Sequence, residues 1–333
     1  RLIVKVAIIG AGIAGLSAAQ ALKQVDGAQV TVFEKSYGLG GRITTKSFDW
    51  GDIDIGAQYF TARDAVFQQQ VDNWVREGAV APWDFTPFVV KNGTLSSKPD
   101  QTIRYVATPT MNRLAFGLGL HLKILLGTRV TCLRRSGSGW RIDCDSGHKC
   151  EELFDWVIVA LPAEQAAQLL CDHVLFRQIP AAVHVPCWAL AFATCGGVAP
   201  EIQGVFGDSL VSWVSRLSSR PKRQIAAQYD DCWMLHFSSE YSARHAGIEH
   251  DHLLDHGLTW LSQVFNTSVS KPLRVMHSYS HYWRYARLKD PSQQPGVLVD
   301  RDQHLAAIGD WCYGGRIEGA YLSGTRLVDQ LFK

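Results

Sequence analysis

A glycine-rich turn near the start of the chain has the spacing of a dinucleotide-binding loop. Gly10, Gly12 and Gly15 form G-x-G-x-x-G between an apolar run that predicts a strand and an Ala- and Leu-rich run that predicts a helix. The first glycine permits a tight turn, the second lets the backbone approach a pyrophosphate, and the third lets the helix pack against the strand. Glu34, at the end of the next apolar run, can accept hydrogen bonds from both ribose hydroxyls. The pattern predicts an adenine dinucleotide without a 2′-phosphate, which means FAD or NAD.

A second glycine-rich stretch, residues 38–42, distinguishes between these two dinucleotides. It reads Gly-Leu-Gly-Gly-Arg and follows Glu34 closely. An NAD dehydrogenase needs no such loop, whereas the pyrophosphate and ribityl chain of a flavin can be wrapped by one, and Arg42 would neutralise a phosphate. We therefore predict FAD as the cofactor.

A third motif lies near the other end of the chain. Gly309 and Asp310 come just before a helix-forming run, so Asp310 could hold a ribityl hydroxyl or serve only as an N-cap. Backbone N–H groups near Arg316 and Ile317 could face the N1–C2=O edge of a flavin, where negative charge collects on reduction.

Three segments that include these motifs resemble the bacterial renalases, a family of FAD-dependent enzymes related to the monoamine oxidases. The segments are residues 40–45, 54–63 and 308–324, and they occur in the family's order. The resemblance implies an α/β fold with a Rossmann-like FAD-binding domain of the glutathione-reductase type. It also implies an inserted α+β substrate domain, in the topology of p-hydroxybenzoate hydroxylase. The implied activity is oxidation of the 2- and 6-dihydro isomers of NAD(P)H to NAD(P)+, with dioxygen reduced to hydrogen peroxide.

Motif and resemblance together assign the site residues. Cofactor contacts are expected at Gly10, Gly12, Ile13, Ala14, Gly15, Glu34, Lys35, Gly41, Arg42, Ala57, Gln58, Val130, Gly309, Asp310, Arg316 and Ile317. Substrate contacts are expected at Tyr59, Phe60, Thr61, Ala62, Arg63, Lys98, Pro99, Asp100, Cys187, His281 and Arg316. Lys98 and Cys187 depart from the smaller hydroxylated residues that the family leads us to expect at these positions.

No catalytic side chain is assigned, because oxidation of a dihydropyridine releases a hydride and no proton. The sequence shows no convincing Ser/His/Asp, paired-carboxylate or metal-ligand constellation, so we expect no metal. His281 could line the substrate pocket or have a structural role. Arg63 and Arg316 could anchor an anionic substrate or form ordinary ion pairs. Cys312 follows the Gly-Asp motif instead of preceding it, so we expect the FAD to be non-covalent.

Aromatic side chains could form one wall for a planar substrate ring. The members of this predicted wall are Tyr59, Phe60, Trp188, Trp213 and Trp283. Core packing would explain any one of them equally well.

Two other functions remain open at this stage. An FAD-dependent oxidase or dehydrogenase of a small amine or alcohol would keep the cofactor and the fold, and alcohol oxidation would need a base such as His281 or His236. The other is a protein that binds a dinucleotide and catalyses no reaction. Such a protein would need no second cavity for a substrate.

Composition limits the partners and the compartment. The 333 residues carry a net charge of +2, which favours a small-molecule substrate and dioxygen over nucleic acid or an anionic membrane. The eight cysteines show no C-x-x-C spacing, which indicates buried thiols in a reducing, cytoplasmic setting.

The elements that must position the motifs can also be predicted. Short apolar runs predict strands at residues 4–9, 29–33, 129–133, 140–144, 155–161, 187–194, 232–238 and 305–308. Apolar residues at helical spacing predict helices at 16–23, 64–77, 111–118, 252–265 and 319–332. We expect residues 1–70, 105–165 and 296–333 to form a discontinuous FAD-binding domain, and residues 71–104 and 166–295 to form the substrate domain.

Overall fold

The computed structural model describes residues 3–145, 150–266 and 269–332. In this part of the chain the helices are α1 Ile13–Leu22, α2 Ala65–Arg76, α3 Arg113–Gly119, α4 Ala163–Leu169, α5 Ser239–Arg244, α6 His250–Val264 and α7 Arg316–Phe332. The strands are β1 Val4–Ile9, β2 Ala28–Phe33, β3 Thr45–Phe48, β4 Gly51–Asp54, β5 Val80–Pro82, β6 Phe88–Lys91, β7 Thr94–Ser97, β8 Tyr105–Ala107, β9 Lys123–Leu125, β10 Val130–Ser136, β11 Gly139–Cys144, β12 Trp156–Ala160, β13 His184–Val198, β14 Gly204–Phe206, β15 Val211–Arg216, β16 Asp231–Phe237, β17 Val269–Leu288, β18 Leu298–Asp300 and β19 Leu305–Ile308.

A mainly parallel sheet carries the predicted dinucleotide motif. Its strand order is β18-β19-β12-β1-β2-β9, and only β18 runs antiparallel to its neighbour. β1 lies in the middle, and its side chains are buried on both faces: Val6 and Ile8 pack toward α1 and α7, Ala7 and Ile9 toward the β10–β11 side. The order changes direction at β1, which places the loop after β1 at a topological switch point, where ligands bind in such sheets.

The helices α1 and α7 cross closely over this sheet. A Cβ atom at Gly324 of α7 would lie 2.5 Å from the carbonyl oxygen of Ala14 in α1, so only glycine permits the observed approach. This contact fixes the start of α1, and with it the first glycine loop, against the C-terminal helix.

A second sheet has the strand order β17-β13-β16-β15-β14-β6-β7 and is antiparallel except for the pair β14–β6. One face packs against α6 through residues such as Leu190, Leu235 and Trp260. The opposite face, called the inner face below, packs against β4 and the residue that follows it, through contacts with Ile53 and Ile55. The second sheet therefore lies directly on the segment that contains the predicted cofactor contacts Ala57 and Gln58.

The two sheets draw on alternating parts of the chain. The parallel sheet uses strands from residues 4–33, 123–125, 156–160 and 298–308, and the second sheet uses strands from 88–97 and 184–288. This alternation follows the order of the predicted domain ranges, whose boundaries stay predictions.

Most of the predicted elements are confirmed, and their observed ends lie within one to four residues of the predicted ends. The C-terminal helix begins at Arg316, three residues before its predicted start. Several observed elements lie outside the predicted ranges, among them the hairpin β3–β4, the strands β14 and β15, and the strands β9 and β17. β9 and β17 are edge strands of their sheets.

Two searches of the described residues bear on partners. No described helix is both long enough and apolar enough to cross a membrane. The same residues contain no group of three or more side chains arranged to hold a metal ion.

Candidate active site

The two glycine loops meet directly in the structure. The backbone N–H of Gly40 donates to the carbonyl oxygen of Ala11 at 3.0 Å, and Gly40 is paired with Gly12 in a β-bridge. Gly10 has φ +108° and a Cβ there would lie 2.4 Å from the Ala160 carbonyl oxygen, so this turn requires glycine. By contrast, a Cβ at Gly12 would meet nothing within 4 Å. The backbone is therefore open at the point where a pyrophosphate would approach the N-terminus of α1.

Glu34 ends β2 beside the first loop. Its Oε2 accepts from the backbone N–H of Ala11 at 2.8 Å, and its Oε1 accepts from the N–H of Ser36 at 2.8 Å. Each carboxylate oxygen keeps a further acceptor site, which a ribose hydroxyl can use. The N–H of Thr128 donates to the Glu34 carbonyl oxygen at 2.8 Å, which brings Val130 near Glu34. The Lys35 side chain is exposed.

Arg42 and Asp310 form a bidentate ion pair, which sequence reasoning did not anticipate. The two guanidinium nitrogens lie 2.8 and 3.0 Å from the two Asp310 carboxylate oxygens. Burial would raise the pKa of Asp310, but Arg42 and His184 together hold it well below its ordinary value. The positive charge of Arg42 is thus neutralised by Asp310 in the structure, so Arg42 is not an unpaired cation available to a phosphate.

His184 and Glu164 extend this pair and were not predicted. His184 Nε2 lies 3.2 Å from Asp310 Oδ1, and His184 Nδ1 lies 2.7 Å from Glu164 Oε2. The His184 side chain is completely buried. No local pattern could reveal the set, because its members come from four elements that are distant in sequence.

The segment after β4 is held by a second buried ionic cluster. Asp54 accepts hydrogen bonds from Arg220 at 2.7 Å and from Arg223, and all three side chains are at most 2% exposed. Burial would raise the pKa of Asp54, but the two arginines lower it below its ordinary value. Burial lowers the pKa of Arg220 to about 9 despite the neighbouring carboxylate.

Gln58, a predicted cofactor contact, has its side chain occupied by this cluster. Its Nε2 donates to the carbonyl oxygens of Asp54 and Gly56 at 2.7 and 2.9 Å. Its Oε1 accepts from Ser215 and Arg220 at 2.9 and 2.6 Å. Any contact of Gln58 with a cofactor would therefore come from its backbone.

The adjoining residues Gly56 and Ala57 contact the second glycine loop. The N–H of Ala57 donates to the carbonyl oxygen of Arg42 at 2.9 Å. A Cβ at Gly56 would lie 1.9 Å from that same oxygen. The 54–58 segment and the second glycine loop are thus built as one unit.

One row of side chains on the inner face carries no charge. Strand pairing places Trp213, His236, Ala189 and His281 in one row across β15, β16, β13 and β17. Burial lowers the pKa of His236 to about 4 and also lowers that of His281. His236 Nε2 is buried without a hydrogen-bond partner among the described residues. Both imidazoles are consequently neutral at neutral pH.

Cys187 and Trp283 are opposite each other at the next position of this face. The Cys187 Sγ approaches the carbonyl oxygens of Trp188 and Phe237 at 3.4 and 3.5 Å, and burial raises the pKa of its thiol to about 12. Trp283 donates from Nε1 to the Ile55 carbonyl oxygen at 2.9 Å, which ties the inner face to the 54–58 segment.

The predicted aromatic wall is wrong for Trp188. Trp188 alternates with Cys187 and Ala189, so it lies on the opposite face, where its Nε1 donates to the His245 carbonyl oxygen at 2.9 Å. Phe60 is 3% exposed and packs against Phe67 and Tyr105, and its contact with a substrate stays a prediction. Trp188 was misplaced because the register of a strand, which sequence alone does not determine, decides which side chains share a face.

An aromatic cluster with a central arginine is found instead. The Arg104 guanidinium carbon lies 5.4–5.5 Å from the ring centroids of Tyr59, Phe85 and Phe206. Asp100, a predicted substrate contact, pairs with Arg104 through both carboxylate oxygens at 2.9 and 2.7 Å. Arg104 was missed because it follows an irregular stretch whose exposed residues include Lys98 and Pro99.

The Glu318 carboxylate connects the segment of Arg63 with the start of α7, where Arg316 lies. Glu318 Oε1, in the first turn of α7, accepts from the backbone N–H groups of Arg63 and Asp64 at 2.7 Å each. This fastens the segment containing Thr61, Ala62 and Arg63 to the start of α7, where Arg316 and Ile317 lie. The side chains of Arg63 and Arg316 are exposed, and no ion pair of theirs is found in the described ranges.

Comparison with known families then decides the class of protein. Residues 112–331, more than half of the chain, match the family described as flavin containing amine oxidoreductase. The chain belongs to this family. Residues 8–74 match the NAD(P)-binding Rossmann-like domain, which confirms the Rossmann-like fold of the N-terminal segment.

Solved structures extend this likeness over the whole chain. Cyclohexylamine oxidase from Brevibacterium oxydans IH-35A superimposes with a TM-score of 0.74 at 13% identity, covering 98% of each chain. A triple mutant of putrescine oxidase gives a TM-score of 0.70 at 12% identity over 99% of each chain. An oxidoreductase from Methanosarcina mazei gives 0.69 at 15% identity, covering 98% of this chain and 100% of the other. At these identities the likeness establishes an amine-oxidase-like fold, and the closer comparisons with glutathione reductase and p-hydroxybenzoate hydroxylase stay predictions.

The residues present fit the flavin of a flavin containing amine oxidoreductase. The backbone is open at Gly12, the α1 N-terminus offers unpaired N–H groups, and Glu34 retains acceptor sites beside them. Arg42 and Asp310 approach from the other side of the same loops. Hydrogen bonds connect these features, from Glu34 to Ala11, from Gly40 to Ala11 and from Arg42 to Asp310.

Proposed function

We propose that this flavin containing amine oxidoreductase is an FAD-dependent oxidase of the 2- and 6-dihydro isomers of NAD(P)H, restoring NAD(P)+. When bound, FAD would supply N5 as the hydride acceptor, and the two electrons, the N5 proton and one solvent proton would then pass to dioxygen to give hydrogen peroxide. The observation that carries the proposal is the neutral character of the part of the inner face that lies against residues 54–58. His236, His281, Cys187 and Tyr279 on this face favour their neutral forms at neutral pH.

A neutral face suits a substrate that gives up a hydride and no proton. The protein then has to orient the donor carbon and exclude water, and needs no general base. An alcohol must also lose its hydroxyl proton. His236 has a free Nε2, but a group with a pKa of about 4 accepts a proton poorly at neutral pH. The face therefore favours the dihydropyridine over an alcohol.

The charges around the face favour an anionic or neutral substrate over an amine. Arg104 already places a cation among Tyr59, Phe85 and Phe206, where an ammonium group would otherwise find its aromatic contacts. Arg63, and Arg316 at the start of α7, have exposed guanidinium groups. Guanidinium groups bind the phosphates of a dinucleotide well.

Oxidation of a small amine is the second candidate function, because related folds carry the names cyclohexylamine oxidase and putrescine oxidase. It would be favoured if the amine were bound in its neutral form, away from Arg104.

Cys312 supports a non-covalent cofactor. The residue is fully buried and packs in the core on the far side of the parallel sheet, with Trp311 and Leu305. Burial raises the pKa of its thiol well above the ordinary value. A buried, protonated thiol is a poor nucleophile toward a flavin ring.

A donor panel tests the proposal. The anaerobic flavin-loaded protein is mixed with 6-dihydroNAD, ordinary NADH, primary amines and alcohols, and bleaching of the flavin absorbance is followed. We expect rapid bleaching by the isomer alone. Bleaching by an amine or alcohol, with none by the isomer, would overturn the assignment.

Variants at the exposed arginines sharpen the test. In Arg63→Ala and in Arg316→Ala, we expect the concentration of isomer for half-maximal reduction to rise about tenfold, as for loss of one charge-assisted contact. The amount of bound flavin should not change in Arg63→Ala. The matched control is Arg141→Ala, at an exposed position of β11 far from α7. Equal effects in all three variants would remove these arginines from the site.

A further inference from the structure

Glu164, His184, Asp310 and Arg42 form one chain of alternating charge with a buried centre, which we call the Asp310 relay. His184 lies in the middle, with Nδ1 2.7 Å from Glu164 Oε2 and Nε2 3.2 Å from Asp310 Oδ1. The backbone N–H of His184 also donates to Glu164 Oε1 at 2.8 Å. Side-chain exposures of 0% for His184 and 5% for Asp310 exclude water from the centre of the relay.

The geometry determines the charge on His184. A neutral imidazole carries one N–H, so it can donate to only one acceptor, whereas an imidazolium donates from both nitrogens. Each ring nitrogen of His184 faces an ionised carboxylate. Two N–H groups are therefore required, and the relay reads negative, positive, negative, positive, with no net charge.

We propose that His184, oriented by Glu164, is a positioning residue for the flavin: its imidazolium holds the Asp310 carboxylate, and through it Arg42, in place beside the cofactor loops. The inference rests on the flavin of the proposed function but not on its substrate. Asp310 and Arg42 belong to the two turns that approach the dinucleotide site, Gly309–Asp310 and the second glycine loop. Loss of the proton from His184 would leave a net negative charge beside a cofactor that itself carries two phosphates.

The proton on His184 is stabilised by its neighbours. Burial would lower the pKa of His184, but the hydrogen bonds to Asp310 and Glu164 raise it above its ordinary value. The Arg42 charge acts in the opposite direction. From β17, Tyr285 packs edge-on against the His184 ring at 6.4 Å. His184 therefore stays protonated at neutral pH, and the relay loses its balance as pH rises through this raised pKa.

The test measures flavin retention and does not use catalysis. The flavin-loaded protein is diluted at a series of pH values, and released FAD is followed by its fluorescence. For the wild type we expect release to increase with pH along a single titration curve. In Glu164→Gln the His184 ring loses the carboxylate that favours its charge, so the midpoint should fall by about one pH unit. In His184→Gln the curve should be lost, and FAD affinity at neutral pH should drop about tenfold.

A control variant separates the role of His184 in flavin retention from a general effect of removing a buried histidine. His250 is also bonded at both nitrogens, to Ser280 and Ser278 at 2.8 Å each, but lies at the start of α6. His250→Asn should keep the wild-type curve. If Glu164→Gln leaves the midpoint unchanged, the proposal is overturned, and this variant decides even if His184→Gln does not fold. A wild-type protein that binds FAD without pH dependence also overturns it, whereas a protein that binds no FAD refutes the proposed function as well.

Discussion

The buried cluster of Asp54, Arg220 and Arg223 should respond differently to removal of its negative charge and to removal of one positive charge. One buried carboxylate serves two buried guanidinium groups, so the cluster carries one excess positive charge. Asp54→Asn would leave two buried cations facing a neutral amide. Arg220→Gln would instead leave Asp54 and Arg223 as a one-to-one pair, with a glutamine amide able to bond Gln58 and Ser215. We expect Asp54→Asn to be much the more destabilising change.

The magnitudes follow from the burial of the three side chains, none more than 2% exposed. Removing the shared partner of a buried ionic cluster costs about 3–5 kcal/mol, because the remaining charges are desolvated and unpaired. Replacing Arg220 removes hydrogen bonds but also removes the mutual repulsion of the two arginines, so its cost should be about 1–2 kcal/mol. The reduced pKa of Arg220, about 9, is the physical sign of burial and of that repulsion.

Urea unfolding measures the difference. The free energy of unfolding is obtained for the wild type and both variants from tryptophan fluorescence and from far-UV circular dichroism. We expect the variants to differ by about 2 kcal/mol, with Asp54→Asn the less stable. An Arg220→Gln variant as unstable as Asp54→Asn would show that the arginine contributes chiefly through its packing and hydrogen bonds, which would contradict the reasoning.

Two further predictions concern the same segment. In Gly56→Ala the new Cβ would overlap the Arg42 carbonyl oxygen 1.9 Å away, so the purified protein should carry less flavin, measured by its absorbance ratio; Gly247→Ala, where nothing lies within 4 Å, should retain the wild-type content. The carboxyls of Asp54 and Asp310 have lowered pKa values in the folded protein, so their contribution to stability is present above the ordinary carboxyl range and is lost as pH falls through the lowered values. The free energy of unfolding should therefore decrease below about pH 4, less steeply in Asp54→Asn, and parallel pH curves for the two proteins would contradict this role.

The parts of the site that the sequence predicts are those formed by neighbouring residues. Gly10, Gly12, Gly15 and Glu34 lie in one β-α-β unit, where the turn, the helix N-terminus and the carboxylate are set by local geometry. The same holds for Gly309 and Asp310, between β19 and α7. The roles of these residues can be inferred because each short stretch must adopt a particular conformation.

The missed parts depend on contacts between distant residues. His184 and Asp310 are 126 residues apart, and Arg220 and Asp54 are 166 apart. No spacing rule connects such pairs, since only the pairing of the sheets brings them together. The Trp188 error has the same origin: the strand was predicted, but its register against β17 and β16 determines that Cys187 and Ala189, and not Trp188, lie on the inner face.

The central claim is that the protein takes a hydride from a dihydronicotinamide isomer without needing a base. The most direct measurement is an anaerobic titration of the flavin-loaded protein with 6-dihydroNAD, following the flavin absorbance and the NAD+ formed. We expect complete bleaching at one equivalent of isomer, with one equivalent of NAD+ released. A flavin that stays oxidised when the isomer is in excess, although it can be reduced by dithionite, would contradict it.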